Sequence, residues 1–202
     1  MTVGERPDGA RGRPAAATGR RLRREERREQ ILAAATHAFA HGGFAGTSLD
    51  DVAAEAGVSR VILYRHFDSK ADLYRAVLDR MCDRLIEAVG DGEFTDASIN
   101  ALLSAARADP AGFRLLFHHA AREPEFRDWM DRFHDQAVRL AHRQLAEMIP
   151  DRRWAKWAAQ LAPTLAVDAI IAWLDADEPD PEDAASRIRE VIGGLIRAAA
   201  HG

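Results

Sequence analysis

Between Thr47 and Lys70 the chain gathers hydroxyl, guanidinium, phenol, imidazole and ammonium groups in one short stretch. Ser59, Arg60, Tyr64, Arg65 and His66 fall at helical spacing, with Lys70 just beyond. Groups of this kind suit phosphate oxygens and the edges of bases. They form no nucleophile–base–orienter set, and no phosphate loop or metal cluster accompanies them. The remaining His and Asp residues are scattered without a motif. The chemistry is therefore recognition rather than catalysis, and neither a cofactor nor a metal is expected.

Residues 48–67, SLDDVAAEAGVSRVILYRHF, must position these groups. Ser48 can cap a helix over Leu49–Ala56, with Asp51 at its third position. Gly57-Val58 makes a tight turn, and Ser59 caps a second helix, Arg60–His66. Leu49, Val52, Ala53 and Ala56 form one apolar stripe; Val58, Leu63 and Phe67 complete a small core. This is a helix-turn-helix pattern. Arg60, Val61, Tyr64 and Arg65 then face outward, flanked by Ile62 and His66. An exposed Val61 suits a thymine methyl group, and Arg60 can read guanine with two bonds. Ser59, Tyr64, His66 and Lys70 suit phosphates, as does Thr47 or Ser48 at the start of the first helix. Ser69 opens a third helix whose N-terminal dipole favours a phosphate. The alternative, a plain helical hairpin whose Tyr and His merely pack, leaves the agreement of caps, turn, stripe and outward face unexplained.

The run AGVSRVILYRHFDSKADLYRAV resembles the TetR family of bacterial regulators, over about Arg24–Arg80. The resemblance implies phosphate- and base-contacting roles for Ser48, Ser59, Arg60, Val61, Tyr64, His66 and Lys70. Relatives often carry small or polar residues where Val61 and Ile62 stand, so the operator sequence does not carry over. The resemblance also implies that the C-terminal body binds an effector and forms the dimer.

Periodicity extends the helical reading to the whole chain: all-α, about nine helices and no strand. Residues 1–22, poor in large apolar groups, are expected to be a disordered basic arm. Residues 23–70 form the DNA-binding head and 90–202 the effector and dimerisation body, with a connecting helix over 69–89. Asp109-Pro110 and Glu123-Pro124 open further helices, the second running to Ile149, and Pro163 is expected to kink the helix over Arg152–Leu174. Net charge is −4, but residues 1–80 carry +3 and the rest −7, so the basic surplus lies where the head is. Arg11-Gly12-Arg13-Pro14 resembles the core of an AT-hook, whose arginines enter a narrow minor groove; a generic basic tail is an equal reading.

In the body, Phe113, Phe117, His118, Phe126, Trp129, Met130 and Phe133 are candidates to enclose a small, largely apolar effector such as a lipid, steroid or drug-like molecule. Ordinary core packing is the competing reading for each. His118, His119, His134 and His142 lack the spacing of a metal site. Trp157, Ile170, Trp173, Ile188, Val191 and Leu195 are candidates for a homodimer interface, against a buried hairpin within one chain. A twofold dimer matches a palindromic double-stranded operator. Cys82, the single cysteine, excludes an internal disulfide and reads as a small buried residue. No run approaches the ~18 consecutive apolar residues of a membrane helix, and no signal peptide is visible, so a cytoplasmic location without membrane partners is expected. A ligand-independent adaptor and a small helical enzyme are the rivals; a cavity in the body would favour the regulator, a solid core the adaptor.

Overall fold

The computed structural model describes residues 14–90 and 96–201, with side chains for 23–90 and 97–201. These residues form nine α-helices joined by short π and 3₁₀ turns, with no strand among them. The helices are α1 (Pro14–Gly46), α2 (Leu49–Glu55), α3 (Arg60–Tyr64), α4 (Lys70–Val89), α5 (Asp96–Ala108), α6 (Pro110–Arg114), α7 (Arg127–Met148), α8 (Arg152–Asp175) and α9 (Ala184–Ala200).

Local signals set the head's boundaries. The Ser48 hydroxyl accepts from the Asp51 amide while the Asp51 carboxylate accepts from the Ser48 amide, a reciprocal capping box. The Ser59 and Ser69 hydroxyls accept from the Ile62 and Asp72 amides, without the reciprocal bond. Gly57 takes φ 62°, the left-handed value that lets α2 end and α3 turn away. Gln30 ties α1 to this turn by donating to the Ala56 carbonyl at 2.8 Å. Ile31, Leu32, Ala35 and Phe39 of α1 bury against Val52, Leu63, Phe67 and Leu73.

Helix α1 starts earlier than expected. Between Pro14 and Glu25 a single glycine, Gly19, weakens the helix without ending it, proline suits the first helical position, and alanine and arginine are strong formers. The arm's first 13 residues, Arg11 and Arg13 among them, lie outside the described residues.

One apolar cluster runs from Ile31 in α1 to Ile188 in α9, so head and body share a core. A second, smaller cluster joins Ala141, Leu145 and Ile149 to Ala155, Ala158, Ala159, Ala162 and Ala199. Helix α8 continues as one helix on both sides of Pro163, whose ring nitrogen has no proton to donate to the Ala159 carbonyl. Among the described residues it alone is long and apolar enough to cross a membrane by length and composition, although it lacks an unbroken apolar run. Half of its most apolar stretch is buried within the protein, as in a core helix. Burial first, then Asp79 and Asp83, pushes the Cys82 thiol up to about 12, so it stays protonated and packs as a small apolar group.

Candidate nucleic-acid interface and effector cavity

Helix α3 buries Leu63 and turns the opposite face to solvent. Val61 is 62% exposed and Tyr64 44%, an arrangement costly in water unless a partner covers it. Arg60 lies beside them: Nη1 donates to Asp50 Oδ2 at 3.0 Å, Nη2 to the Tyr64 hydroxyl at 3.4 Å, and the guanidinium sits 5.6 Å from the Tyr64 ring. The Tyr64 hydrogen bond, then Asp50, raises its pKa, so it remains charged. Ser48, Ser59 and Arg65 are exposed and His66 is half-buried. Burial, then Arg24, Arg28 and Arg27 of α1, lowers the His66 pKa and favours the neutral ring. His66 follows the end of α3, so positive charge from α1 is felt just beyond the reading helix.

Two expected contacts look inward. Thr47 is buried and its hydroxyl donates to the Ala38 carbonyl at 3.1 Å, which holds the loop before α2 and leaves Ser48 as the exposed hydroxyl there. Lys70 Nζ donates to the Phe44 and Thr47 carbonyls at 2.7 and 3.1 Å. Its ammonium has three protons, so one stays available for a phosphate.

In the body, a cavity of about 720 Å³ lies between α4, α7 and α8. Leu85, Ile86 and Val89 of α4, Met130, Phe133 and Leu140 of α7, and Val167 of α8 supply apolar wall, with Arg127, Asp131, His134, Arg143 and Asp168 around it. Phe117 also lines it, and His118 lies in a smaller adjoining recess. Phe113 and Phe126 are instead almost wholly buried in the core, and Trp129 stacks on Phe133 while donating to Asp79 at 3.2 Å. The reason is a π turn, Leu115–His119, followed by 3₁₀ turns at Ala120–Arg122 and Pro124–Phe126. A changed helical period rotates the faces, so spacing alone misassigns them. The wall residues of α4 were missed because each reads as ordinary amphipathic helix.

On α8 and α9, Trp157 is 41% exposed and Val191 50%, and Leu195 is partly buried. Ile170, Trp173 and Ile188 are buried within the protomer, which removes them as intermolecular contacts.

The family model of bacterial regulatory proteins of the tetR family matches residues 31–77, from α1 into α4. Over 197 residues the chain is 31% identical to the HTH-type transcriptional activator FasR of Mycolicibacterium smegmatis, covering 88% of this chain and 86% of that one. The chain belongs to the TetR family. A TetR-like regulator from Rhodococcus sp. RHA1 shares the fold, with TM-score 0.74 at 22% identity over 87% of this chain and 97% of that one. The HTH-type transcriptional repressor SCO4008 of Streptomyces coelicolor is 34% identical over 94 residues, 46% of this chain and 49% of that one. As a TetR-family protein the chain is a DNA-binding transcriptional regulator and not an enzyme. The family match ends within α4, before the residues that line the cavity.

Proposed function

We propose that the protein is a cytoplasmic homodimeric repressor that binds a palindromic operator through α3 and is released by a small, largely apolar effector. One observation carries this reading: α4 begins directly behind the reading helix and ends in the wall of a cavity of about 720 Å³. That volume suits a drug-sized ligand, and its apolar lining with a few polar groups is the usual make-up of such a site. A ligand seated against Leu85, Ile86 and Val89 acts on the helix that sets the angle of the head. Ligand and DNA then oppose each other by the same coupling energy in both directions. The dimer is placed on the outer face of α8 and α9, where Trp154, Trp157, Leu161 and Val191 stand exposed. The organisation remains that of a head over 23–70 and a body over 90–202, linked by the helix over 69–89. In the head, Ser48, Ser59, Arg60, Val61, Tyr64, Arg65, His66 and Lys70 meet DNA.

Selection of sites from random duplex DNA at fixed salt tests the reading. Enrichment of one palindrome, abolished by Tyr64→Ala with Lys70→Ala, supports it; no enrichment from folded protein rejects it. Thermal shifts with lipids, steroids and drug-like molecules, with and without that operator, test the coupling. A ligand that stabilises both states equally refutes release. A second reading concerns sign: the relative matched along nearly its full length is named an activator, whereas the named repressor matches over about half its length. Transcription in vitro from a promoter carrying the selected operator separates the two.

A further inference from the structure

Head and body meet at a point away from the reading face. Gly43, at φ 66° and ψ 177°, interrupts α1. A side chain there would be strained, and its Cβ would stand 3.7 Å from Glu123 Oε1. The turn aims the Phe44 amide at that carboxylate, which accepts it at 3.2 Å from 79 residues along the chain. The Phe44 ring packs edge-on against Tyr74 at 5.1 Å and Phe126 at 4.9 Å. From the other side Lys70 donates to the Phe44 and Thr47 carbonyls and places its ammonium 4.5 Å from the Phe44 ring. The next residue after Thr47 is Ser48, the cap of α2. Residues 43–47 are thus gripped by the body through Glu123 and Phe126, and by α4 through Lys70.

We infer that Glu123 is a positioning residue for DNA reading: its carboxylate, carried by the body, holds the Phe44–Thr47 segment and so fixes where α2 begins. Three features favour this over simple packing. The bond joins the segment leading into α7 to the segment leading into α2, and little local sequence links them. A glycine in the left-handed region is needed to present the Phe44 amide. Glu123 also lies four residues before Arg127, at the edge of the cavity, so whatever moves the start of α7 moves this contact. A loosened segment leaves α2 and α3 to be ordered at the moment of binding, which weakens association without removing a phosphate contact.

The test compares Glu123→Ala and Glu123→Gln in the full chain, on the duplex that the unmodified protein selects from random DNA. Glu123→Ala should bind about ten-fold more weakly, with the slope of affinity against salt unchanged, because no phosphate contact is lost. Hydrogen exchange at the Phe44 amide should quicken by at least a similar factor. Glu123→Gln keeps an oxygen acceptor and should restore both readouts to within about two-fold. Unchanged or tighter binding with unchanged Phe44 exchange in Glu123→Ala overturns the inference, as does failure of the glutamine to rescue. Should Glu123→Ala not fold, Glu123→Ser removes the carboxylate while keeping a small polar side chain at this half-buried position. It should also quicken Phe44 exchange and weaken binding, and wild-type behaviour in both would overturn the inference.

Discussion

The head and the body treat their polar groups in opposite ways. In the head nearly every reading group is tied to a neighbour: Arg60 to Asp50 and Tyr64, Ser48 to Asp51, Ser59 to the Ile62 amide, Lys70 to two carbonyls. Around the cavity, the side chains of Arg127, Asp131, His134, Arg143 and Asp168 make no hydrogen bond or ion pair with another described residue. The short helices α2 and α3 bury Val52, Ala53 and Leu63 in a dense core, whereas α7 and α8, packed on each other through Ala141, Leu145, Ala158 and Ala162, flank open space beside α4. A reading surface gains affinity from groups already in place, because less freedom is lost on binding. A cavity wall gains range from groups that can still choose a partner.

The largest effect expected from this contrast is on stability. Leu63 is fully buried, so Leu63→Ala should cost about 2–5 kcal/mol in denaturant unfolding. Leu140 is half-buried and lines space that already exists, so Leu140→Ala should cost about 1 kcal/mol or less. Equal losses at the two positions would break the comparison and show that the body packs as tightly as the head.

Next in size is base discrimination. Arg60→Ala should cost about 1–3 kcal/mol of preference for the base it reads while binding to unrelated DNA falls little. Lys70→Met should weaken all duplexes alike and also loosen the Phe44 and Thr47 carbonyls. Competition binding between the selected site and single-base variants checks both. An Arg60→Ala protein with an unaltered preference would leave Val61 and Tyr64 as the readers. Asp50→Asn sharpens the point, since it releases Arg60 from a solvent-exposed ion pair worth little by itself.

A smaller effect follows from His66. Its pKa lies below the ordinary 6.5 in the free head, chiefly through burial and then through Arg24, Arg28 and Arg27. The neutral ring is therefore favoured on folding. Its contribution to stability is complete above pH 6.5 and is lost as pH falls from there through the lowered value. A phosphate beside the ring favours the imidazolium instead, so binding takes up a proton and affinity should rise as pH drops below 6.5. Operator titrations at constant salt check this, with His66→Asn expected to flatten the slope. A slope unchanged in that variant would place the imidazole away from phosphate.

The same contrast explains what could be read from the sequence. Ser48 with Asp51, Ser59 with Ile62, and Ser69 with Asp72 act over three residues, so the head's element starts are visible locally. Gly57 announces its turn in the same way. The cavity depends on long-range placement. Phe113 and Phe117 are both aromatic and four residues apart, yet one is core and the other wall, because a π turn begins between them. Helix α8 is apolar on two faces: Trp154, Trp157 and Leu161 point out, Ile170, Ile171 and Leu174 point in. Hydrophobic pattern marks both faces and cannot say which one meets a neighbour in the same chain. The contact made by Glu123 carries no local signal, since its partner is 79 residues away.

Tyr74 gives the smallest expected change and separates packing from polarity where head meets body. Its ring is fully buried among Phe39, Phe44 and Phe126, at 4.8, 5.1 and 4.4 Å between centroids. Its hydroxyl is the single buried side-chain polar atom without a partner among the described residues. Burial, then the charge of Glu123, pushes its pKa far up, so the proton stays on at any working pH. An unpaired buried hydroxyl costs about 1–3 kcal/mol. Tyr74→Phe keeps the ring contacts and removes that cost, so it should unfold at equal or higher denaturant, by about 1 kcal/mol. Operator affinity should stay within about two-fold, because the Phe44–Glu123 bond is untouched. A clear loss of stability would instead mean that the hydroxyl has a partner, a bound water or the Glu123 carboxylate in another rotamer. The junction would then be a polar network like that of the reading face rather than an aromatic hinge with one hydrogen bond across it.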